Sequence, residues 1–491
     1  MSNSWTMNRL IVFFLTLLFS AFFPPTVGAG IEAGADVTDI TPLAEHFPIS
    51  TAGSMAANFI DKTEEKIHCR TVLIGNGNTL VSFTIVDSCL IPRDICDSAK
   101  RLVFDAVGIP SENINIAASH THSAPTATPA FQSNPLVAYQ IFLTEKIAES
   151  ILNAHQRLEP AEAGWAVGSD PTQVFNRRWF VKEPYKNPFG SFEDMVRMNP
   201  GYNRGGGKVS EPAGPVDPDV PVLAVRSSGA EKTPIAVFAN YALHYVGNTP
   251  RSAAGRPQLS GDYFARFADL MAEKIAPGDD SFVAILSNGA SGDINNINYA
   301  GPPPERSYAP GERMMEVAAS VADAAHKAYE EIEYRNDFMI RVASRDLDLG
   351  VRKPESEDLK RAHEILSSPE QLINGNLRTH EAIYARETLQ LREYPDTVAV
   401  RLQSVRIGDL CINTAPCETF VEIGLELKKV SPFPTTFLIE LANGYNGYLP
   451  TPKQHEWGGY ETWRAKSSYL EVDASTQVMA AFREMMEELR E

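Results

Sequence analysis

The chain has 491 residues, 43% hydrophobic and 22% charged, the composition of a globular protein with ample material for a core. Its formal net charge of −18 argues against nucleic acid or an anionic membrane as a main partner, while leaving room for a local basic pocket. A crude length rule suggests about three domains, but no linker, internal repeat or low-complexity tract divides the sequence, and one large domain over 30–491 is expected.

Residues 1–29 read as a secretory signal. Asn8 and Arg9 precede the apolar run Leu10 to Phe23, Pro24-Pro25 follow, and Val27-Gly28-Ala29 is a small-residue cleavage pattern. The run is short for a membrane span, and no other stretch is long and apolar enough. Cleavage near Ala29 would leave a secreted or periplasmic protein without a transmembrane segment. The five cysteines are odd in number, irregularly spaced and free of any CxxC, so neither a disulfide framework nor a thiolate metal knuckle is indicated. Cys89 and Cys96 would pair only if the chain turned between them; otherwise the cysteines act as small buried hydrophobes.

In chain order, Ala35 to Ile40 predicts a first strand, and Cys69 to Ile74 with Leu80 to Asp87 a hairpin around Gly75-Asn76-Gly77-Asn78. Ile91 to Val107 has helical periodicity opened by Pro92. Ile114 to Ser123 reads as a buried strand that delivers two histidines to its C-terminal mouth, and Leu136 to Leu158 as an amphipathic helix. Residues 168–218 form a long irregular region rich in aromatics, prolines and glycines, of the kind that builds a site. Val220 to Val225, Pro234 to Ala242 and Phe282 to Leu286 read as strands, and Asp262 to Ile275 and Glu312 to Ile332 as helices. Residues 354–393 read as an outer helical hairpin. Val398 to Ile407, Leu410 to Thr414 and Thr436 to Leu441 return to β, with helices at Glu418 to Lys429 and Ser475 to Glu491. The rhythm is α/β: a single large mixed domain with central β-sheets flanked by helices.

Several of these strands end in polar groups. The run Ile114 to Ala118 leads into Ser119-His120-Thr121-His122-Ser123, and on an extended strand the i, i+2 spacing puts both imidazoles on one face. Strand ends are where α/β folds place reactive groups, although a short HxH also occurs as one structural and one solvated histidine. Phe238 to Leu243 ends in His244. Glu418 lies at a strand-to-helix junction, where the helix dipole also favours it. Ser287 to Asn296 is small, polar and Gly-rich, suited to presenting N–H groups to an anion. Asn443 to Pro450 carries Tyr445 and Tyr448 in a Gly/Asn loop. Two or three histidines, a glutamate and tyrosines at separate strand ends match an N/O metal site. Zinc is the usual metal for such a set, with one position open for water.

These motifs resemble the catalytic domain of the neutral/alkaline (non-lysosomal) ceramidase family over nearly the whole mature chain. The resemblance rests on Ala35 to Thr41, Ser119-His120-Thr121-His122-Ser123, Asn176-Arg177, Gly292-Asp293, Pro416 to Glu418, Gly444 to Tyr448 and Gly458-Gly459-Tyr460-Glu461. It implies one Zn2+ held by His120, His244, Glu418 and Tyr448, and His122 as a proton-transfer group. It further implies Arg177 and Tyr460 on the substrate carbonyl, with Tyr469 a competitor for the Tyr460 role.

The sequence departs from the family in three places. Asn295 stands where ceramidases carry a serine, and an amide cannot be an activated hydroxyl nucleophile, although it can hydrogen-bond an oxyanion. Ala124-Pro125-Thr126 lacks the family's glycines, and no C-terminal β-sandwich is expected before Glu491. The resulting expectation is a zinc-dependent amidohydrolase acting on a small or lipid-like N-acyl amide through activated water, with Arg177, Tyr460 and Asn295 steadying the oxyanion. The alternative is a zinc enzyme on the same scaffold acting on glycans or other polar substrates. A deep apolar cavity would favour lipid, and a shallow cleft lined by Trp179 and Trp457 would favour glycan.

Overall fold

The computed structural model describes residues 30–368, 372–373 and 376–491; the expected signal at 1–29 lies outside the described residues. Its large sheet has eight strands: β1 (Glu32–Asp39), β2 (His68–Gly75), β3 (Leu80–Val86), β4 (Ile114–Ala118), β5 (Glu159–Ser169), β6 (Asp219–Ser227), β7 (Pro234–Tyr241) and β8 (Val283–Asn288). A smaller sheet has four: β9 (Ile340–Gly350), β10 (Thr397–Ile407), β11 (Leu410–Thr414) and β12 (Thr435–Ile439). The main helices are α1 (Arg93–Val107), α2 (Val137–Gln156), α3 (Asp262–Ile275), α4 (Glu312–Glu330), α5 (Ser356–Leu366), α6 (His380–Arg392), α7 (Val421–Val430) and α8 (Ala474–Arg490).

The order of the large sheet is β8-β7-β6-β5-β1-β2-β3-β4. β1, β2 and β3 pair antiparallel, and β4 returns parallel to β3 through α1. Likewise β5, β6 and β7 pair antiparallel, and β8 returns parallel to β7 through α3. The small sheet repeats the pattern: β9, β10 and β11 antiparallel, then β12 parallel through α7. In each unit a final helix (α2, α4 or α8) packs back onto the first strand. The chain is therefore three βββαβα units, although the sequence shows no internal repeat. The repetition lies in topology, which alternation and helix periodicity specify without residue identity.

Alternate faces of the strands separate four cores. Leu73, Ile114 and Ile116 pack under α1 and α2, and Val222, Val237 and Leu286 pack under α3 and α4. The opposite faces, including Phe83, Phe238 and Ile285, meet Val405, Ile412 and Phe437 of the small sheet. Beyond that sheet, Leu402, Cys411 and Leu438 pack against α7 and α8. The layers run α/β/β/α, as expected for sheets flanked by helices. All five cysteines are buried and free.

Two strands escape the sequence pattern. β5 is built largely of Ala, Gly and Glu around one Trp, and in β9 the apolar alternation changes phase between Val342 and Leu347, across Ser344, Arg345 and Asp346. Both owe their conformation to complete ladders with a strongly apolar neighbour, β6 and β10 respectively. The region 168–218 holds a small sheet of its own, Arg178–Val181 between Val196–Met198 and Val209–Pro212. The helical hairpin expected at 354–393 is present as α5 and α6.

Because β1 runs parallel to β3 and β4, their C-terminal ends share one rim, and the other two units do the same. The connections leaving β1, β5 and β9 (40–67, 170–218 and 351–396) start on the rims of their own units; β1 and β5 pair antiparallel at their N-terminal ends, and the rims meet where residues 440–443 bond to β4 and β8. Phe238 ties the two sheets, its ring centroid 5.5 Å from Phe83 and 6.4 Å from Phe437. Phe238→Ala should cost about 3–5 kcal/mol, read as a lower urea midpoint at unchanged m-value.

Candidate metal site and substrate cleft

Each unit delivers one donor to a common point. His120 follows β4, His244 follows β7 and Glu418 follows β11. His120 Nε2 lies 3.0 Å from His244 Nε2 and 3.4 Å from Glu418 Oε2, and His244 Nε2 lies 3.8 Å from the same oxygen. All three residues are buried. His120 Nδ1 is 3.0 Å from the Cys89 carbonyl and His244 Nδ1 is 3.1 Å from the Ser291 carbonyl. A carbonyl only accepts, so each imidazole carries its proton on Nδ1 and turns an Nε2 lone pair inward.

Three acceptor atoms thus face one another in a buried space, and Glu418 Oε2 has no hydrogen-bond donor. In that neutral form the arrangement is repulsive; against burial, Cys89 and Glu418 hold the His120 pKa well above its ordinary value, so a proton, or a cation in its place, relieves the repulsion. Burial opposes charge on Glu418, yet His120, Tyr448 and Arg177 outweigh it and hold the carboxyl below the usual range. Burial, then Arg177 and His120, keep His244 neutral, its pKa well below the ordinary value. The donor set and its fixed tautomers fit a divalent N/O-binding metal such as zinc.

Tyr448 joins the cluster through backbone register. Glu418–Thr419 forms a short parallel ladder with Tyr448–Leu449, pairing Glu418 with Tyr448. Arg177 Nη2 donates to the Tyr448 oxygen at 3.1 Å. Tyr445 supplies a contact that sequence reading did not assign: its hydroxyl donates to Glu418 Oε1 at 3.0 Å. The Gly444 to Tyr448 motif carried that signal, but not which tyrosine does what.

The two histidines of the HxH pair converge for a reason other than strand alternation. β4 ends at Ala118, and His120 takes φ +74°, so the chain turns there. His122 Nε2 still comes within 3.4 Å of His120 Nε2. Its ring stacks on Tyr245 with centroids 3.5 Å apart, and Gly53 lies against its other side. Burial, then His120 and Arg177, hold the His122 pKa well below the usual histidine value.

Arg177 is a buried hub. Its Nε donates to Glu461 Oε1 at 2.9 Å and its Nη2 to the Gly292 carbonyl at 2.7 Å. Glu461 also takes Arg178 Nη1 at 2.6 Å, so one wholly buried carboxylate fixes two guanidinium groups. Gly292 is required for its packing: a Cβ there would lie 2.6 Å from the Glu418 carbonyl oxygen.

A narrow cleft opens over the cluster. His120, His122, Glu418, Tyr445, Tyr448 and Tyr460 line it. Leu90, Pro129, Ala130 and Phe131 make an apolar wall, and Glu387 and Lys466, which sequence reading missed, also face it. No motif flagged that pair, because α6 joins the site only through the fold. Tyr460 lies at the cleft with its ring 5.9 Å from that of Tyr448. Tyr469 instead sits in the core, its oxygen accepting from Asn446 at 2.8 Å.

Asn295 is not among the lining residues. Its Nδ2 donates to Asn199 Oδ1 and the Tyr299 hydroxyl, and its Oδ1 accepts from Ile297 N, so the amide is taken up in bracing its own loop. Trp179 and Trp457 are not on the cleft either. Trp179 is buried and bonded to the Asn176 carbonyl, and Trp457 packs on Phe180.

The fold and cluster define a four-layer α/β protein with a preformed metal-type centre. Among solved structures, neutral ceramidase from Pseudomonas aeruginosa superposes with a TM-score of 0.67 at 15% identity, covering 94% of this chain and 75% of that one. A ceramidase solved as a complex with C2 gives the same TM-score and coverage at 16% identity. No family model and no curated protein matches the sequence. The chain therefore has a ceramidase-like fold.

Gly53 has φ +99°, and a Cβ there would lie 2.2 Å from His122 Cγ. Gly53→Ala should displace the His122 ring and destabilise the protein by about 1–3 kcal/mol. A crystal structure of the variant and its thermal midpoint check both effects.

Proposed function

We propose that residues 30–491 form one catalytic domain of a secreted or periplasmic zinc-dependent hydrolase, with 1–29 as its export signal, cleaving the amide bond of an N-acyl, ceramide-like substrate. The reading is carried by the convergence of His120, His244 and Glu418, with an orphaned carboxylate oxygen, at the floor of an apolar-walled cleft. The ceramidase-like fold supports it. So does the wall of Leu90, Pro129, Ala130 and Phe131, which suits an acyl chain. Among the described residues no helix is long and apolar enough to cross a membrane. A glycan substrate is less well supported, because Trp179 and Trp457 lie away from the cleft.

In this reading His120, His244, Glu418 and Tyr448 hold the ion. A bound zinc supplies Lewis acidity, which makes water nucleophilic near neutral pH and polarises a carbonyl. His122, neutral and half-buried, carries a proton from the attacking water to the leaving amine nitrogen. Arg177, fixed by Glu461, keeps the Tyr448 oxygen in place by its hydrogen bond. Tyr460 offers a hydroxyl on the cleft wall to the developing oxyanion. Asn295 supports the loop carrying Asp293 and takes no part in the reacting set.

His120→Ala and Glu418→Ala should each lose stoichiometric zinc, measured by elemental analysis, together with hydrolysis of a fluorescent ceramide. Full activity in either variant would sink the assignment. Tyr445→Phe should keep the fold and weaken zinc about 10–100-fold in a chelator competition, because Glu418 loses the hydrogen bond that orients it.

A further inference from the structure

A second, roomier cleft of about 550 Å3 adjoins the first and shares Tyr460 with it. Its lining is chemically different. Lys186, Arg197 and His380 face it in a chain whose formal net charge is −18. Neither Lys186 nor Arg197 has an ion-pair partner among the described residues. Glu381, the carboxylate on this lining, is taken up by Arg361. Asp194, which braces the wall, is buried and accepts from Trp463 Nε1 at 2.7 Å and Asn187 Nδ2 at 3.3 Å.

Arg197 is exposed and carries no ion pair among the described residues. It stands in the short strand Val196–Met198, opposite Trp179, with its guanidinium 5.7 Å from the centre of the Tyr185 ring. Tyr185 is itself fixed, its hydroxyl donating to the Val196 carbonyl at 2.8 Å. An unpaired guanidinium and an unpaired lysine on the lining of one cleft are a ready receptor for a carboxylate, sulfonate or phosphate.

Resting on the amide-hydrolase reading above, we infer that this outer cleft binds an anionic group carried by the amine half of the substrate. The acyl half lies along the apolar wall of the inner cleft. The amine half leaves the metal cluster past Tyr460, the residue common to both clefts, and meets Lys186 and Arg197. The preferred substrates are therefore N-acyl amides with an acidic headgroup, ahead of neutral ceramide.

The test compares N-dodecanoyl taurine, which carries a sulfonate, with N-dodecanoyl ethanolamine, its neutral counterpart, on the zinc-loaded full chain. Wild-type kcat/KM should be roughly tenfold higher for the taurine amide, falling toward parity as salt rises. Lys186→Ala with Arg197→Ala should remove that preference through KM, leaving kcat for the neutral amide unchanged; Arg197→Lys should restore part of it. Equal kcat/KM for the two amides in wild type would overturn the anionic subsite and leave amide hydrolysis standing. A preference that survives the double variant would overturn the assignment to these residues. Hydrolysis of neither amide, nor of ceramide, would overturn both readings.

Discussion

The site depends on residues 440–443, which hold together the two ends of the large sheet. β4 and β8 are its opposite edges, yet Ala118 N donates to the Leu441 carbonyl, Asn443 N to the Ile116 carbonyl and Glu440 N to the Asn288 carbonyl. The sheet must curl for one short segment to reach both edges. Without that curl His120, beyond one edge strand, could not meet His244, which follows the strand next to the other edge. Glu440 adds a second tie. Its carboxylate accepts from Ser291 N, Ser291 Oγ and Thr419 N, gripping the loop behind His244 and the residue after Glu418. Burial raises its pKa to about 8. Each such bond has a net worth of only about 0.5–1.5 kcal/mol, but leaving a buried partner unmade costs more, which makes the closure cooperative.

Around that closure the three βββαβα units divide the work evenly. Each contributes a donor at a strand end, and each contributes a connection between its first and second strands to the rim. Gly53 and Met55 come from the first, Arg177 and Arg197 from the second, Glu387 and His380 from the third. Facing lone pairs and an unsatisfied carboxylate are a poor bargain for folding. The surrounding cores and the Arg177–Glu461–Arg178 network hold the arrangement regardless, the usual pattern where function overrides local stability.

Much of this was readable from the sequence, for specific reasons. α3 and β11 run over the residues expected, because their apolar periodicity and flanking polar residues agree. His120, His244, Glu418 and Tyr448 are legible because each breaks an apolar element with a polar group, and the structure brings them together. β5 and β9 were not legible, since their conformation comes from neighbours rather than from their own side chains. The turn at His120 was read as extended strand, because nothing in His-Thr-His signals a positive φ. Asn295 was assigned by position in a motif, and only side-chain geometry reveals that its amide is spent on Asn199, Tyr299 and Ile297. Glu387 and Lys466 are far apart in sequence and belong to no pattern, so only folding brings them to the same cleft.

The three rim connections have a consequence for how such a protein can change over time. Each begins and ends on strands already fixed by full ladders, so lengthening or rewriting one costs only the slowly growing entropy of a longer loop. His120, His244 and Glu418 lie on other connections, after the third and fourth strands of the units. Apart from Gly53, which packs on His122, and Arg177, which holds the Tyr448 oxygen, the residues of 40–67, 170–218 and 351–396 can therefore drift and reshape the clefts while the His120–His244–Glu418 cluster stays untouched.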